Sequence, residues 1–188
     1  VLIDHGYFAR SVPKEYGGFG GEPDIIKSRI IAAEFSKAKV PFGMGGQGID
    51  MLVPTLLELG TEEQKQKYVP KLASGEWFGA YCLTEPGAGS DANSGKTKAV
   101  LSNDKSHYLI SGQKIWISNA GFADILTVFA KIEDDKNLTA FIVPNDPNNG
   151  ISMGNEEEKL GLNSSSTRQV FFNETKVPAE NMLSERGN

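Results

Sequence analysis

The sequence is poorest in the residues that make cross-links and metal centres. Its only cysteine is Cys82, which excludes an internal disulfide framework and a cysteine cluster for zinc and fits a reducing compartment. Cys82 therefore reads as a small core residue. Histidine is nearly as scarce, with His5 and His107 far apart in the chain, so a histidine-based metal site is not expected. No apolar run approaches the about 18 residues needed to cross a bilayer. The start, Val1-Leu2-Ile3-Asp4-His5-Gly6, also lacks the charged-then-apolar layout of a secretion signal. Clusters of basic residues are missing as well. The 19 lysines and arginines are dispersed and outnumbered by 24 acidic residues, for a formal net charge of −5, which argues against a general nucleic-acid binder.

What remains is the composition of a soluble globular protein, 39% hydrophobic over 188 residues, enough for one substantial core or two small ones. Hydrophobic periodicity divides the chain in two. Ile25, Ile26, Ile30, Ala33 and Phe35, behind Pro23, predict a helix over 24–39. A second helical stretch is expected over 48–59, interrupted early by glycines and stopped by Gly60. Thr61 and Gln64 then have capping-box spacing ahead of a third helix. After Trp77 the period changes to two, with β-branched and aromatic runs near 78–84, 95–102, 106–112, 114–118, 124–132, 138–144 and 166–175. The expected fold is therefore α+β: a helical segment over 1–76, then a small antiparallel β-barrel or sandwich over 77–188.

The chemically informative string is Tyr81-Cys82-Leu83-Thr84-Glu85-Pro86-Gly87-Ala88-Gly89-Ser90-Asp91. A strand here runs into a turn of Pro, Gly and Ser whose backbone amides and hydroxyls can form a concave nest for an anion or polar ring atoms. It is not a Walker phosphate loop, since the Lys-Ser/Thr ending is missing, nor a Rossmann fingerprint, since no helix pattern follows. On composition alone an ordinary tight turn is the expected reading, because Pro-Gly-rich turns are commonplace. Glu85 and Asp91 flank the turn, and structural hydrogen bonding is the expected role for both, rather than an acid–base pair. Glu156-Glu157-Glu158 reads as a solvated face, and Arg168 as a surface residue or a contact to a phosphate or a neighbouring subunit.

This string, with Gly112-Gln113-Lys114-Ile115-Trp116-Ile117-Ser118-Asn119-Ala120-Gly121, with Lys159-Leu160-Gly161-Leu162 and with Pro13-Lys14-Glu15-Tyr16-Gly17-Gly18, resembles the acyl-CoA dehydrogenase family. The resemblance covers essentially the whole chain and implies FAD as cofactor. Tyr81, Leu83 and Thr84 would then border the flavin ring, Gly89 and Ser90 would lie toward the pyrophosphate, and Ser90 would also meet the acyl-CoA substrate. Trp116 would pack against the isoalloxazine and Ser118 would hydrogen-bond near its N5, with Cys82 and Ile117 among the cofactor-binding positions. Where the family often has Thr, Ser118 keeps the hydroxyl and lacks the methyl that restricts its rotamer.

The resemblance further implies oxidation of a fatty acyl-CoA thioester to the trans-2-enoyl-CoA, with a Glu removing the α-proton and the β-hydrogen passing as hydride to the flavin. In the family that Glu belongs to a C-terminal helical domain without counterpart in these residues, so no catalytic residue is assigned among them. Electron-transfer flavoprotein as electron acceptor, a homo-oligomeric parent, and a cytoplasmic location, or mitochondrial matrix in a eukaryote, are the associated expectations. A non-catalytic flavin-binding module and an acyl-CoA oxidase parent are the alternatives.

Overall fold

The computed structural model describes residues 2–40 and 46–187. Asp24 caps the first helix, α1 (Ile25–Lys37), accepting from the amides of Ile26 at 2.9 Å and Lys27 at 3.0 Å and so satisfying donors that helix geometry leaves unpaired. The expected helix is there, yet no residue of α1 is buried, and Ile25, Ile26 and Ile30 are 71%, 68% and 58% exposed. A wide π-helical turn, Gly48–Leu52, opens the second helical stretch and leads into α2 (Val53–Leu59). Pro54 has no N–H to donate into the preceding turn, which accounts for the widening there. The capping box is as its spacing predicts: Thr61 Oγ1 accepts from Gln64 N and Gln64 Oε1 accepts from Thr61 N, starting α3 (Glu62–Ala73). No described helix is long and apolar enough to cross a membrane.

Eight strands follow: β1 (Gly79–Cys82), β2 (Lys98–Leu101), β3 (His107–Ser118), β4 (Ile125–Ile132), β5 (Thr139–Pro144), β6 (Ile151–Glu156), β7 (Thr167–Pro178) and β8 (Met182–Leu183). Their order is β6-β7-β3-β2-β4-β5-β8, with β1 also on β4. Most pairings are antiparallel, but β1 and β2 both run parallel to β4. The runs expected at 106–112 and 114–118 are one long strand, β3. Ser111-Gly112, between the two runs, forms a bulge on it, where a Cβ on Gly112 would lie 2.5 Å from Thr97 Oγ1, so only glycine allows this approach. β6 and β8 were not expected: β6 carries Ser152, Gly154 and Asn155 instead of a clean apolar alternation, and β8 is two residues long.

One edge of β4 is taken by β5. The other is shared end to end, by β1 along Ile125–Val128 and by β2 along Lys131–Ile132. The chain between β1 and β2 must therefore leave the sheet where one partner stops and the other starts, and the glycine-rich turn is that excursion.

Two apolar clusters result. Cys82, Ala80, Leu126, Val128, Phe141 and Val143 face Ile110, Ile117, Val170 and Phe172 between the sheet layers. The alternate residues of the same strands, Ile125, Ala140 and Ile142, face Leu52, Leu56, Tyr68, Val69 and Leu72 of the helices. β5 is thus buried on both faces, which explains its unbroken apolar run Ala140-Phe141-Ile142-Val143 where a half-buried strand would alternate. Close approach on the helical side uses two glycines: a Cβ on Gly79 would sit 2.9 Å from the Gly48 Cα.

Candidate functional site

The site is built where β1 ends. Ala80 and Cys82 point into the core between the sheets, so by the two-residue strand period Tyr81 and Leu83 point away from it. The Tyr81 ring packs on Phe129 at a centroid distance of 4.9 Å. The chain then turns, with Glu85 and Ala88 exchanging backbone hydrogen bonds of 3.0 and 3.1 Å. Gly87, Gly89 and Ser90 are exposed, and a Cβ on Gly87 or Gly89 would meet nothing within 4 Å. The turn faces open space.

The middle of β3 lies against this turn. Ile115 N donates to Thr84 O at 2.9 Å, tying together two segments some thirty residues apart in sequence. At this point β3 slips register on β7, between Lys114 and Ile117. Trp116, in the bulge, has a left-handed φ of 59° and is 57% exposed. A bulky residue disfavours that backbone region, and such strain clusters at functional sites. The bulge turns the indole out to solvent while Ile117, next along, stays in the core.

Beneath the surface lies an ion pair. Lys114 is fully buried, and its Nζ donates to Glu85 Oε1 at 2.7 Å and to Leu83 O at 3.1 Å. Glu85 also accepts from the amides of Lys96 at 2.5 Å and Thr97 at 3.1 Å. Burial alone pushes the Glu85 carboxyl up, but the hydrogen bonds from Lys114, Thr97 and Lys96 outweigh it and hold it below the usual carboxylate range. Burial lowers Lys114 from its ordinary value, with Glu85 opposing that shift. The structural role expected for Glu85 is what the geometry gives it. The sequence reading assigns Lys114, within one of the quoted strings, no role; a lysine directly before the apolar run Ile115-Trp116-Ile117 is the signal available.

The residues expected at the cofactor divide by accessibility. The hydroxyls of Tyr81, Thr84, Ser90 and Ser118 have no hydrogen-bond partner among the described residues, and all four residues are half-buried or exposed. The amides of Gly89 and Ser90 donate no backbone hydrogen bond there either. Cys82 and Ile117 are different. Their side chains are sealed in the core, and burial pushes the Cys82 thiol up to about 12, so these two positions can offer a ligand only their backbone. An exposed indole, unpaired hydroxyls and free amides around an open glycine turn fit a planar heteroaromatic ring bearing phosphates, as in FAD.

Residues around the loop after β6 take structural roles. Glu156 and Glu158 are exposed and Glu157 is half-buried, as expected of a solvated face, and Glu156 also accepts from Thr167 N, from Ser166 Oγ at 2.9 Å and from Arg168 Nε at 2.9 Å. Arg168 is paired accordingly. Asp91 is exposed, and its carbonyl accepts from Ser94 Oγ at 2.7 Å.

The sequence matches the acyl-CoA dehydrogenase N-terminal domain over residues 1–76 and the acyl-CoA dehydrogenase middle domain over residues 80–175. It is 45% identical to a probable acyl-CoA dehydrogenase of Bacillus subtilis, over 97% of this chain and 30% of that protein. It is 42% identical to a short-chain specific acyl-CoA dehydrogenase of Clostridium acetobutylicum, over 97% of this chain and 48% of that one. The crystal structure of an acyl-CoA dehydrogenase complexed with FAD from Bacillus anthracis superposes with a TM-score of 0.83 at 41% identity, over 99% of this chain and 31% of that chain. The chain thus spans half or less of the length of these relatives. Two matching domains in the family's order, on a fold shared along the whole chain, make this chain a member of the acyl-CoA dehydrogenase family.

Proposed function

We propose that these residues form the helical unit over 1–76 and the flavin-binding β unit over 77–188 of an FAD-dependent acyl-CoA dehydrogenase that acts on a fatty acyl-CoA thioester. The observation that carries the reading is the strained, exposed Trp116 bulge bonded to the end of β1 through Ile115 N and Thr84 O at 2.9 Å. In this reading FAD supplies the two-electron redox chemistry, accepting hydride from the substrate. The chain's own residues bind and orient. Trp116 offers ring-stacking area, Tyr81, Leu83 and Thr84 line the edge of β1, and the Ser118 hydroxyl is free to donate to a ring nitrogen. The amides of Gly89 and Ser90 are free for phosphate, and the Ser90 hydroxyl for the thioester substrate.

In this reading no carboxylate among these residues serves as the base. Glu85, the buried one, has its oxygens engaged by Lys114 and two backbone amides, and in this reading the base comes from elsewhere in the protein. Electron-transfer flavoprotein as acceptor and assembly as a homo-oligomer are part of the same proposal. The test uses the protein at its full natural length. FAD titration should quench flavin or tryptophan fluorescence to a saturable end point, and anaerobic addition of acyl-CoA thioesters should bleach the bound flavin. No saturable binding would overturn the reading.

A further inference from the structure

We infer that the buried Lys114–Glu85 pair is a positioning device for the cofactor surface: it clamps together the two segments that would hold a flavin, and its loss alters how the flavin is held more than it alters the fold. The inference rests on the flavin reading above.

The pair occupies the one place where the sheet cannot do this work. β1 leaves the edge of β4 after Cys82 pairs Val128, and β2 joins the same edge only when Lys98 pairs Lys131. The chain from Leu83 to Thr97 has no regular ladder on that edge. Within this gap the ammonium of Lys114 holds the Leu83 carbonyl at 3.1 Å and the Glu85 carboxylate at 2.7 Å. The carboxylate in turn holds the amides of Lys96 and Thr97, where the chain re-enters the sheet. Lys114 is also two residues from Trp116, at the foot of the bulge. One ion pair therefore links the end of β1, the glycine turn, the start of β2 and the indole-bearing bulge.

A buried ion pair is a poor choice for stability alone, because desolvating both charges offsets most of their attraction and apolar replacements are often equally stable. Its directional hydrogen bonds are what an apolar pair lacks. They fix backbone positions at Leu83 and the turn that packing alone leaves free to shift, and sites need such support to hold their geometry.

The experiment compares the full-length parent with Glu85→Gln and with the double variant Lys114→Met/Glu85→Gln. Three quantities are read: FAD affinity by fluorescence titration, the visible circular dichroism of bound flavin, and the thermal midpoint of the flavin-free protein. The double variant, uncharged, is expected to melt within a few degrees of the parent, to bind FAD about tenfold more weakly, and to give a changed flavin dichroism. Glu85→Gln, which leaves the buried Lys114 ammonium without its counter-charge, is expected to move affinity and dichroism in the same direction. If the parent itself fails to bind FAD, the flavin reading falls. If the parent binds and the double variant matches its affinity and spectrum, the positioning role falls while the flavin reading stands. If the double variant does not fold, Glu85→Gln decides: parental affinity and dichroism, or failure to fold there too, overturns the proposal.

Discussion

Trp116 holds its left-handed backbone, with φ 59°, against a penalty of about 1–2 kcal/mol for a residue carrying a Cβ. Because the residue is more than half exposed, it recovers little of that by packing. Trp116→Gly is therefore expected to leave the flavin-free protein as stable as the parent, or more stable by about 1 kcal/mol, while weakening FAD binding through lost stacking area. Glu158→Ala, at an exposed charge, should change either quantity by less than about 0.5 kcal/mol. Urea unfolding and flavin titration separate the two effects, and equal flavin loss in both variants would remove Trp116 from the site. Glu85 gives a pH signature at the same scale. Its folded carboxyl titrates below the unfolded value of about 4.3. Its contribution to stability is then complete above that value and is lost as pH falls through the folded one, where the native state must take up the proton. Thermal midpoints should hold steady from about pH 7 to 5 and decline below about pH 4, with a shallower acid decline in Glu85→Gln.

Among the elements, α3 is locked and α1 is loose. Gln64 both closes the capping box and reaches across to the last strand, its Nε2 donating to Glu180 O at 2.7 Å and Met182 O at 2.9 Å. Tyr68, one turn on, donates from its hydroxyl to Asn181 Oδ1 at 3.1 Å. Removing the Gln64 amide orphans carbonyls in a largely buried setting, so Gln64→Ala should destabilise by about 2–3 kcal/mol. Thr61→Ala loses only the cap, about 1 kcal/mol. A reversed order in chemical unfolding would show that the long-range bonds contribute little. By contrast Ile26→Ser and Ile30→Ser, on the exposed face of α1, should each change the stability of the 188-residue chain by less than about 0.5 kcal/mol.

At the scale of the whole molecule, the sheet that carries the candidate site is also the floor on which the helices sit, since β4 and β5 present Leu126, Val128 and Phe141 to one cluster and Ile125 and Ile142 to the other. The proposed cofactor surface lies at the end of β1, whose Gly79 touches the helical layer at Gly48. Holding a flavin is a smaller demand than oxidising a thioester, which needs a base within about 3 Å of the α-proton. With Glu85 locked and Glu156 engaged by Arg168, the 188-residue chain supplied with FAD is expected to show no flavin bleaching on anaerobic mixing with acyl-CoA thioesters. Rapid substrate-dependent reduction would mean that a base lies within these residues.

Local rules were enough wherever a few neighbouring residues decide the outcome. Pro23, Gly60, Thr61 and Gln64 announce helix ends because their effect acts within one turn, and the change of period after Trp77 announces strands because side-chain alternation belongs to the strand itself. The string from Tyr81 to Asp91 pointed to a flavin-binding family through its likeness to known proteins, not through its physics. Other features depended on the fold. That Ile25, Ile26 and Ile30 lie exposed while Lys114 lies fully buried inverts what their chemistry suggests, because burial is set by which surfaces the tertiary structure brings together. The parallel entry of β1 and β2 onto one edge of β4, and the ion pair spanning the gap between them, join residues too distant in sequence for any periodicity to connect. Sequence determined most of the elements and the family; only the folded chain decided which of the named residues are accessible around the glycine turn and which, like Cys82 and Ile117, are sealed in the core.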